Sequence, residues 1–241
     1  SNVGNMRNSG LEFSITSYNV STPDFTWQTS LNFTWNTNEV LELSPVLDEN
    51  ENGVNAGITS TVAGGMLGEF FLARYAGLNE FGGYPEIYEV DPETGEETGN
   101  ILPADRNTVR RHKQRTGKSG LPTYFGGFNN TLNYKGIELT VNFVFQGGNY
   151  IFDNVERSRS RIGGGGSNYL TALAEDSWTP DNLDARHPRL TWNNRYDTYN
   201  EDGTIDRTNQ RFDYRGNQFH DQYLKPGDFV RLRTLQLAYN F

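Results

Sequence analysis

The chain is patterned most clearly over residues 122–146, PTYFGGFNNTLNYKGIELTVNFVFQ, where apolar and polar positions alternate on either side of Lys135-Gly136. In the first half Tyr124, Phe128, Leu132 and Tyr134 share one parity. Thr123, Gly127, Asn129, Thr131 and Asn133 fill the other, with Phe125 the exception. In the second half Ile137, Leu139, Val141, Phe143 and Phe145 alternate with Glu138, Thr140, Asn142, Val144 and Gln146. Successive Cβ atoms of a strand point to opposite sheet faces, so this period of two predicts two half-buried strands, 122–134 and 136–147. Each runs to about 10 residues or more, against a mean nearer ~5–6 in globular proteins and ~9–11 for a tilted strand crossing a bilayer.

The same alternation predicts strands elsewhere. Over 9–20, Leu11, Phe13 and Ile15 oppose Glu12, Ser14 and Thr16. After a turn at Ser21, Thr22 and Pro23, residues 24–37 carry Phe25, Trp27, Leu31, Phe33 and Trp35 on one face, with Thr26, Gln28, Ser30, Asn32, Thr34 and Asn36 on the other. Aromatics at both ends of an apolar face suit a lipid-facing strand. Residues 69–77 and 84–90 flank Gly82-Gly83 as a hairpin that lies in the main sheet or outside it, although Arg74 spoils the alternation. The chain closes on 228–241, where Leu235, Leu237, Tyr239 and Phe241 alternate with polar or small residues. The intervening segments 38–68, 91–121 and 148–227 are polar and Gly-rich and read as long loops, with a short helix near Ser167–Ser177. If the turns at 21–23 and 135–136 lie at one end of the sheet, all three long segments leave from the other.

Composition narrows the class. Mean hydropathy is −0.72, and no run approaches the ~18 apolar residues of a spanning helix. A barrel escapes that limit, because it hides its apolar band on alternate residues. Aromatics make up 13% of the 241 residues, with 15 Phe and 13 Tyr, as barrel girdles require. Absence of Cys removes disulfides and thiolate metal sites, and fits a periplasmic or outer-membrane destination. A net charge of −9 argues against nucleic acid. Ser1 opens a polar segment with neither charged n-region nor apolar h-region. Either the mature chain starts there or it is a piece of something longer.

Motifs that carry chemistry are few, and no catalytic machinery, cofactor or metal is expected. There is no G-x-S-x-G, H-E-x-x-H or phosphate loop leading into a helix, and Gly163–Gly166 read as loop. His112, His187 and His220 lack ligand spacing. Asp48, Asn50, Asn52 and Gly53 match the start of a calcium loop, but its twelfth position is Thr59 where a Glu is wanted. Glu49 with Glu51, and Glu96 with Glu97, read as solvated loop acids rather than a glycosidase pair.

Several segments, in order, resemble the SusC/RagA-type TonB-dependent transporters of Bacteroidetes outer membranes. They are NVGNMRNSGLEFSI at 2–15, WQTSLNFTWNTNEVLEL at 27–43, GLPTYFGGFNNTLNYKGIELTVNFVFQGG at 120–148 and YLKPGDFVRLRTLQLAYNF at 223–241, with SWTPDN at 177–182 and HPRL at 187–190. The resemblance implies an all-β chain, residues 1–241 forming part of an antiparallel transmembrane β-barrel of about 22 strands with long extracellular loops, late in the barrel and lacking the plug. It implies import of oligosaccharides or peptides with a SusD-like surface lipoprotein, TonB acting through the plug, and outer-membrane lipid around the wall. Trp178, Trp192, Tyr196 and Tyr199 in the last long loop are the ligand-binding candidates, suited to stacking on sugar rings or to packing against loops or a partner. The other reading is a secreted soluble β-sandwich that binds glycans without transport.

Overall fold

The computed structural model describes residues 4–44, 53–55, 57–160, 169–191, 195–208, 212–213 and 219–240. Two long strands, β1 (Gly4–Ser21) and β2 (Phe25–Leu43), open the chain. Then come β3 (Val54–Asn55), β4 (Thr59–Thr61), β5 (Glu69–Ala73), β6 (Tyr75–Leu78), β7 (Pro85–Val90), β8 (Glu97–Pro103), a helix at Arg106–Arg111, and β9 (Lys113–Ser119). A second long hairpin follows, β10 (Tyr124–Tyr134) with β11 (Ile137–Gly147). Beyond it lie β12 (Tyr150–Phe152), helices Asn154–Arg159 and Ala172–Glu175, β13 (Arg195–Tyr196), β14 (Phe212–Asp213), β15 (Leu224–Pro226) and β16 (Phe229–Tyr239). Among the described residues no helix is long and apolar enough to cross a membrane.

β1, β2, β10, β11 and β16 form one antiparallel five-stranded sheet in that order, here called the wall. The β10–β11 turn holds Lys135 at φ 48° and Gly136 at φ 84°. Two positive φ values in a row make the hairpin turn whose twist matches that of its strands, and glycine adopts it without strain. The Lys135 amide donates to the Asp24 carbonyl at 3.0 Å, so the β1–β2 and β10–β11 turns abut at the same end of the wall. Everything from β3 to β9 and from β12 to β15 is inserted at the opposite end, where the loops gather into a cap.

Because paired residues share a face, the register turns the alternation of each strand into rows across the sheet. Leu11–Trp35–Tyr124, Phe13–Phe33–Gly126–Phe145–Val230 and Ile15–Leu31–Phe128–Phe143–Leu232 are rows of the apolar face. Trp27–Leu132–Leu139–Leu237 and Phe25–Tyr134–Ile137–Tyr239 continue it. The opposite face carries Glu12–Thr34–Phe125–Gln146–Phe229, Ser14–Asn32–Gly127–Val144–Arg231 and Thr16–Ser30–Asn129–Asn142–Thr234. Phe125, out of place in its own strand, thus sits in the same row as Phe229.

No second sheet covers the apolar face among the described residues: Leu11 is 68% exposed and Leu237 73%. The buried core lies in the cap. Ala73, Tyr84, Ile87, Ala104, Val109 and Tyr196 form one cluster, and Phe70, Leu72 and Leu224 another, with Phe219 packed against both. Glu69, itself buried, pins β5 to β9: one carboxylate oxygen accepts from Arg115 Nε and Nη2 at 2.9 and 2.7 Å, the other from the Gly117 amide at 2.7 Å.

Four readings from the sequence differ from the structure. β1 and β2 run beyond 9–20 and 24–37 because Gly4–Gly10 pairs with Asn36–Leu43, and backbone pairing needs no alternation of side chains. The 69–77 segment is two strands broken at Arg74, β5 joining β4 and β9 while β6 pairs with β7. Neither lies in the wall. The segments 38–68, 91–121 and 148–227 are insertions between wall strands, yet they carry short sheets of their own. Of the segment near 167–177 expected to be helical, the described residues, 169–177, form a helix at Ala172–Glu175.

Candidate functional site

Two regions bring polar or aromatic side chains together. The first is the polar face of the wall, where a concavity of about 760 Å³ is lined by Glu12, Asn32, Phe125, Asn142, Gln146 and Arg233, among others. Arg233 arrives there through a β-bulge: pairing passes from Asn142–Thr234 to Phe143–Leu232, leaving Arg233 as the extra residue. A bulge shifts the parity of its strand by one, so Arg231 lies opposite Val144 on the polar face although it shares the parity of Leu235 on the apolar one. Arg231 sets its guanidinium 5.0 Å from the centre of the Phe229 ring. This surface offers amides, an acid at one edge, two guanidiniums at the other and two apolar rings. It can hold polar chain-like molecules by hydrogen bonds, and nothing in it pairs a nucleophile with a base.

The second region is the aromatic cluster of the cap, into which the structure brings three of the four sequence candidates. Trp178 is 3% exposed and Tyr196 1%. The Tyr196 hydroxyl donates to the Arg189 carbonyl at 2.9 Å, and its ring meets Tyr84 edge-on at 6.2 Å between centroids. Burial pushes the hydroxyls of both Tyr84 and Tyr196 up to about 12. The Tyr199 amide donates to the Tyr84 hydroxyl at 3.3 Å. Gly83, at φ +63°, lies against Trp178 so closely that a Cβ there would sit 2.3 Å from the indole. Packing therefore occupies the faces of Trp178 and Tyr196. Trp192 lies outside the described residues.

The histidines are separate. The Val90 amide donates to His112 Nδ1 at 3.1 Å, and the His187 carbonyl accepts from the Trp178 amide at 2.8 Å. His220 is fully buried between Tyr75 and Tyr223, with ring centroids at 5.0 and 5.1 Å, and burial holds its pKa down to about 3. No group of three metal-ligating side chains occurs among the described residues. Of the calcium-loop positions, Asp48, Asn50 and Asn52 lie outside them, as do Gly163–Gly166 and Phe241. Glu97 is engaged by Arg74 at 2.6 Å and Gln114 at 2.7 Å rather than paired with Glu96. The sequence missed Glu12, Phe229 and Arg233: the signal for Glu12 was its place on the polar side of β1, whereas strict alternation puts Phe229 and Arg233 with Leu235 and only the bulge brings them to the polar face.

A sheet with a continuous uncovered apolar face, a polar opposite face, short turns at one end and elaborate insertions at the other is the wall of an outer-membrane β-barrel. Known proteins agree. The chain is 27% identical to TonB-dependent receptor P3 of Formosa agariphila over 99% of its own length and 22% of that protein. It is 27% identical to TonB-dependent receptor SusC of Bacteroides thetaiotaomicron over 67% of its length and 16% of that protein. Among solved structures it matches the RagAB peptide transporter with a TM-score of 0.74 and 25% identity, covering 99% of this chain and 23% of that one. No family model matches. In both comparisons the chain is similar to TonB-dependent receptors of the SusC and RagA kind, and it spans about a fifth of the length of the curated relatives it matches.

Proposed function

We propose that the chain supplies wall strands and extracellular cap to a TonB-dependent importer that takes up oligosaccharides or peptides together with a SusD-like surface lipoprotein, and that it performs no catalysis. The observation that carries this is the uncovered apolar face. A soluble sandwich buries such a face against a second sheet about 10 Å away, whereas Leu11, Leu235 and Leu237 stand open here. The height of the face fits a bilayer. On β10 it runs from Tyr124 to Tyr134, and ten steps of ~3.3 Å tilted by ~40° rise ~25 Å, the height of a barrel's apolar band. Trp35 and Tyr124 form the upper girdle; Phe25, Tyr134 and Tyr239 form the lower. The polar face, with its concavity, then lines the lumen and the cap faces the medium. The similarity to the RagAB peptide transporter favours peptide among the two substrate classes.

Membrane fractionation tests the reading. The protein carrying this chain is expected in the detergent-soluble outer-membrane fraction, resistant to carbonate extraction. Recovery as a folded monomer in the aqueous phase without detergent would restore the soluble glycan-binding alternative.

A further inference from the structure

The polar face of the wall holds two arginines with no acid beside them. Arg231 and Arg233 stand together on β16 because the bulge turns both to that face. The chain has 30 acids against 21 Lys and Arg, and Arg7, Arg74, Arg115 and Arg186 each meet a carboxylate. Among the described residues no ion pair involves Arg231 or Arg233. Glu12 lies on β1, at the far edge of the sheet, four strand spacings or about 19 Å away. Glu138 lies six residues along β11 from Val144, the partner of Arg231, or about 20 Å. Asp228, nearest in sequence, accepts from the Gly148 amide at 2.7 Å. Charges some 20 Å apart are well beyond a Debye length of ~8 Å, so neither Glu12 nor Glu138 neutralises the pair.

The surroundings suit a carboxylate on a polar chain. The Arg231 guanidinium sits over the Phe229 ring, 5.0 Å from its centre, which leaves the edge of the fork for a bidentate anion. Arg233 and Phe229 share the lining of the concavity with Asn142 and Gln146, whose amides both donate and accept, as the peptide group does. Arg231 is level with Gly127, three residues below the Tyr124 girdle, which at ~3.3 Å per residue and ~40° tilt is only ~8 Å. A solute arriving from the cap end meets that level first. Resting on the importer reading above, we propose that Arg231 and Arg233 form a subsite for the C-terminal carboxylate of an imported peptide, with Asn142 and Gln146 pairing with the last peptide groups. A peptide offers that carboxylate whatever its side chains, whereas a neutral oligosaccharide has none to place there.

The test uses the intact outer-membrane protein, purified and immobilised. The probes are a synthetic pool of short peptides of alanine, serine, phenylalanine and lysine, without acidic residues, made once with free C-terminal carboxylates and once as C-terminal amides. Retention, read by mass spectrometry, is expected to be about tenfold weaker for the amides. Arg233→Gln and, independently, Arg231→Gln should each weaken retention of the free acids about tenfold and leave that of the amides unchanged, while heat-modifiable migration shows that the barrel still folds. Equal retention of the two pools by the native protein, or variants that weaken both alike, would overturn the subsite and leave peptide import standing. Retention of neither pool would overturn it as well. In that case, retention of oligogalacturonate would keep the importer reading with a sugar acid as cargo, and failure of cells to take up either peptide or oligosaccharide would remove that reading too.

Discussion

Replacing His220 by phenylalanine should make the cap resistant to mild acid. The imidazole is fully buried between Tyr75 and Tyr223, and it joins segments distant in sequence: His220 bridges Ala73, the Ala73 amide donates to the Phe219 carbonyl at 3.1 Å, and the Tyr75 amide donates to Asp221 Oδ1 at 2.8 Å. Its folded pKa is about 3 against an ordinary 6.5. A depressed histidine pKa means that the opened state binds the proton first, so stability is complete above pH 6.5 and falls as pH drops from 6.5 toward 3. At pH 5, about 1.5 pH units below the opened-state pKa, the loss is about 2 kcal/mol, or roughly 30-fold in the opening equilibrium. Hydrogen exchange at the Ala73 and Tyr75 amides, corrected for intrinsic rate, reads that equilibrium. Protection should fall roughly 30-fold between pH 7 and 5 in the native protein and only a few-fold in His220→Phe. The residual is expected because burial also holds His187 below its ordinary value, and it titrates in the same window. Equal pH dependence in the two proteins would show that His220 is not the group that acid opens.

On the wall, Leu31→Arg should cost about 2–4 kcal/mol of folding stability in lipid while Asn32→Arg, on the opposite face, costs much less; equal costs in denaturant titrations of vesicle-embedded protein would contradict the facing. In the cap, Glu69→Ala removes the acceptor of three hydrogen bonds between β5 and β9, and should weaken exchange protection at Phe71 by about 2–3 kcal/mol, with Glu69→Gln milder. Gly83→Ala and Gly95→Ala both force alanine to a positive φ, at about 1–2 kcal/mol each, but only Gly83→Ala collides with Trp178. A Tm loss no greater for Gly83→Ala than for Gly95→Ala would mean that the indole is free to move.

Legibility in the sequence followed the range over which each signal acts. The wall was readable because one buried or lipid-facing side imposes a period of two over ten residues, as in Ile137 to Gln146. Two kinds of feature escaped. At Asn19 and Arg233 a single extra residue resets parity without leaving any compositional mark, so strict alternation over Arg231 to Tyr239 assigns Arg231 to the wrong face. In the cap, β3 to β9 and β12 to β15 are two to seven residues long, too short to show a period, and they are held by partners far away in sequence, as Glu69 is by Arg115. Trp178 and Tyr196 were conspicuous as residue types, but composition does not distinguish a ring offered to a sugar from one buried against Gly83 or Tyr84.

The same reasoning explains why a polar row at Asn130, on the apolar face of the wall, passed unnoticed although every residue in it was visible. Within β2, Thr29 interrupts an apolar series once, and within β10, Asn130 does so once; a single polar residue in a strand is ordinary. Only the register aligns Ser17, Thr29 and Asn130 into one patch and shows that the interruptions coincide. Coincidence is what changes the energetics. Scattered hydroxyls can turn back to their own backbone, but here Ser17, Asn19, Thr29 and Asn130 bond in series, with Asn19 linking Ser17 to Thr29. Val141 and Leu235 complete the same row with apolar side chains on the neighbouring strands. The polar half of the row is thus confined to β1, β2 and β10, and its position is set by backbone pairing between strands up to about a hundred residues apart, which no single strand's pattern contains.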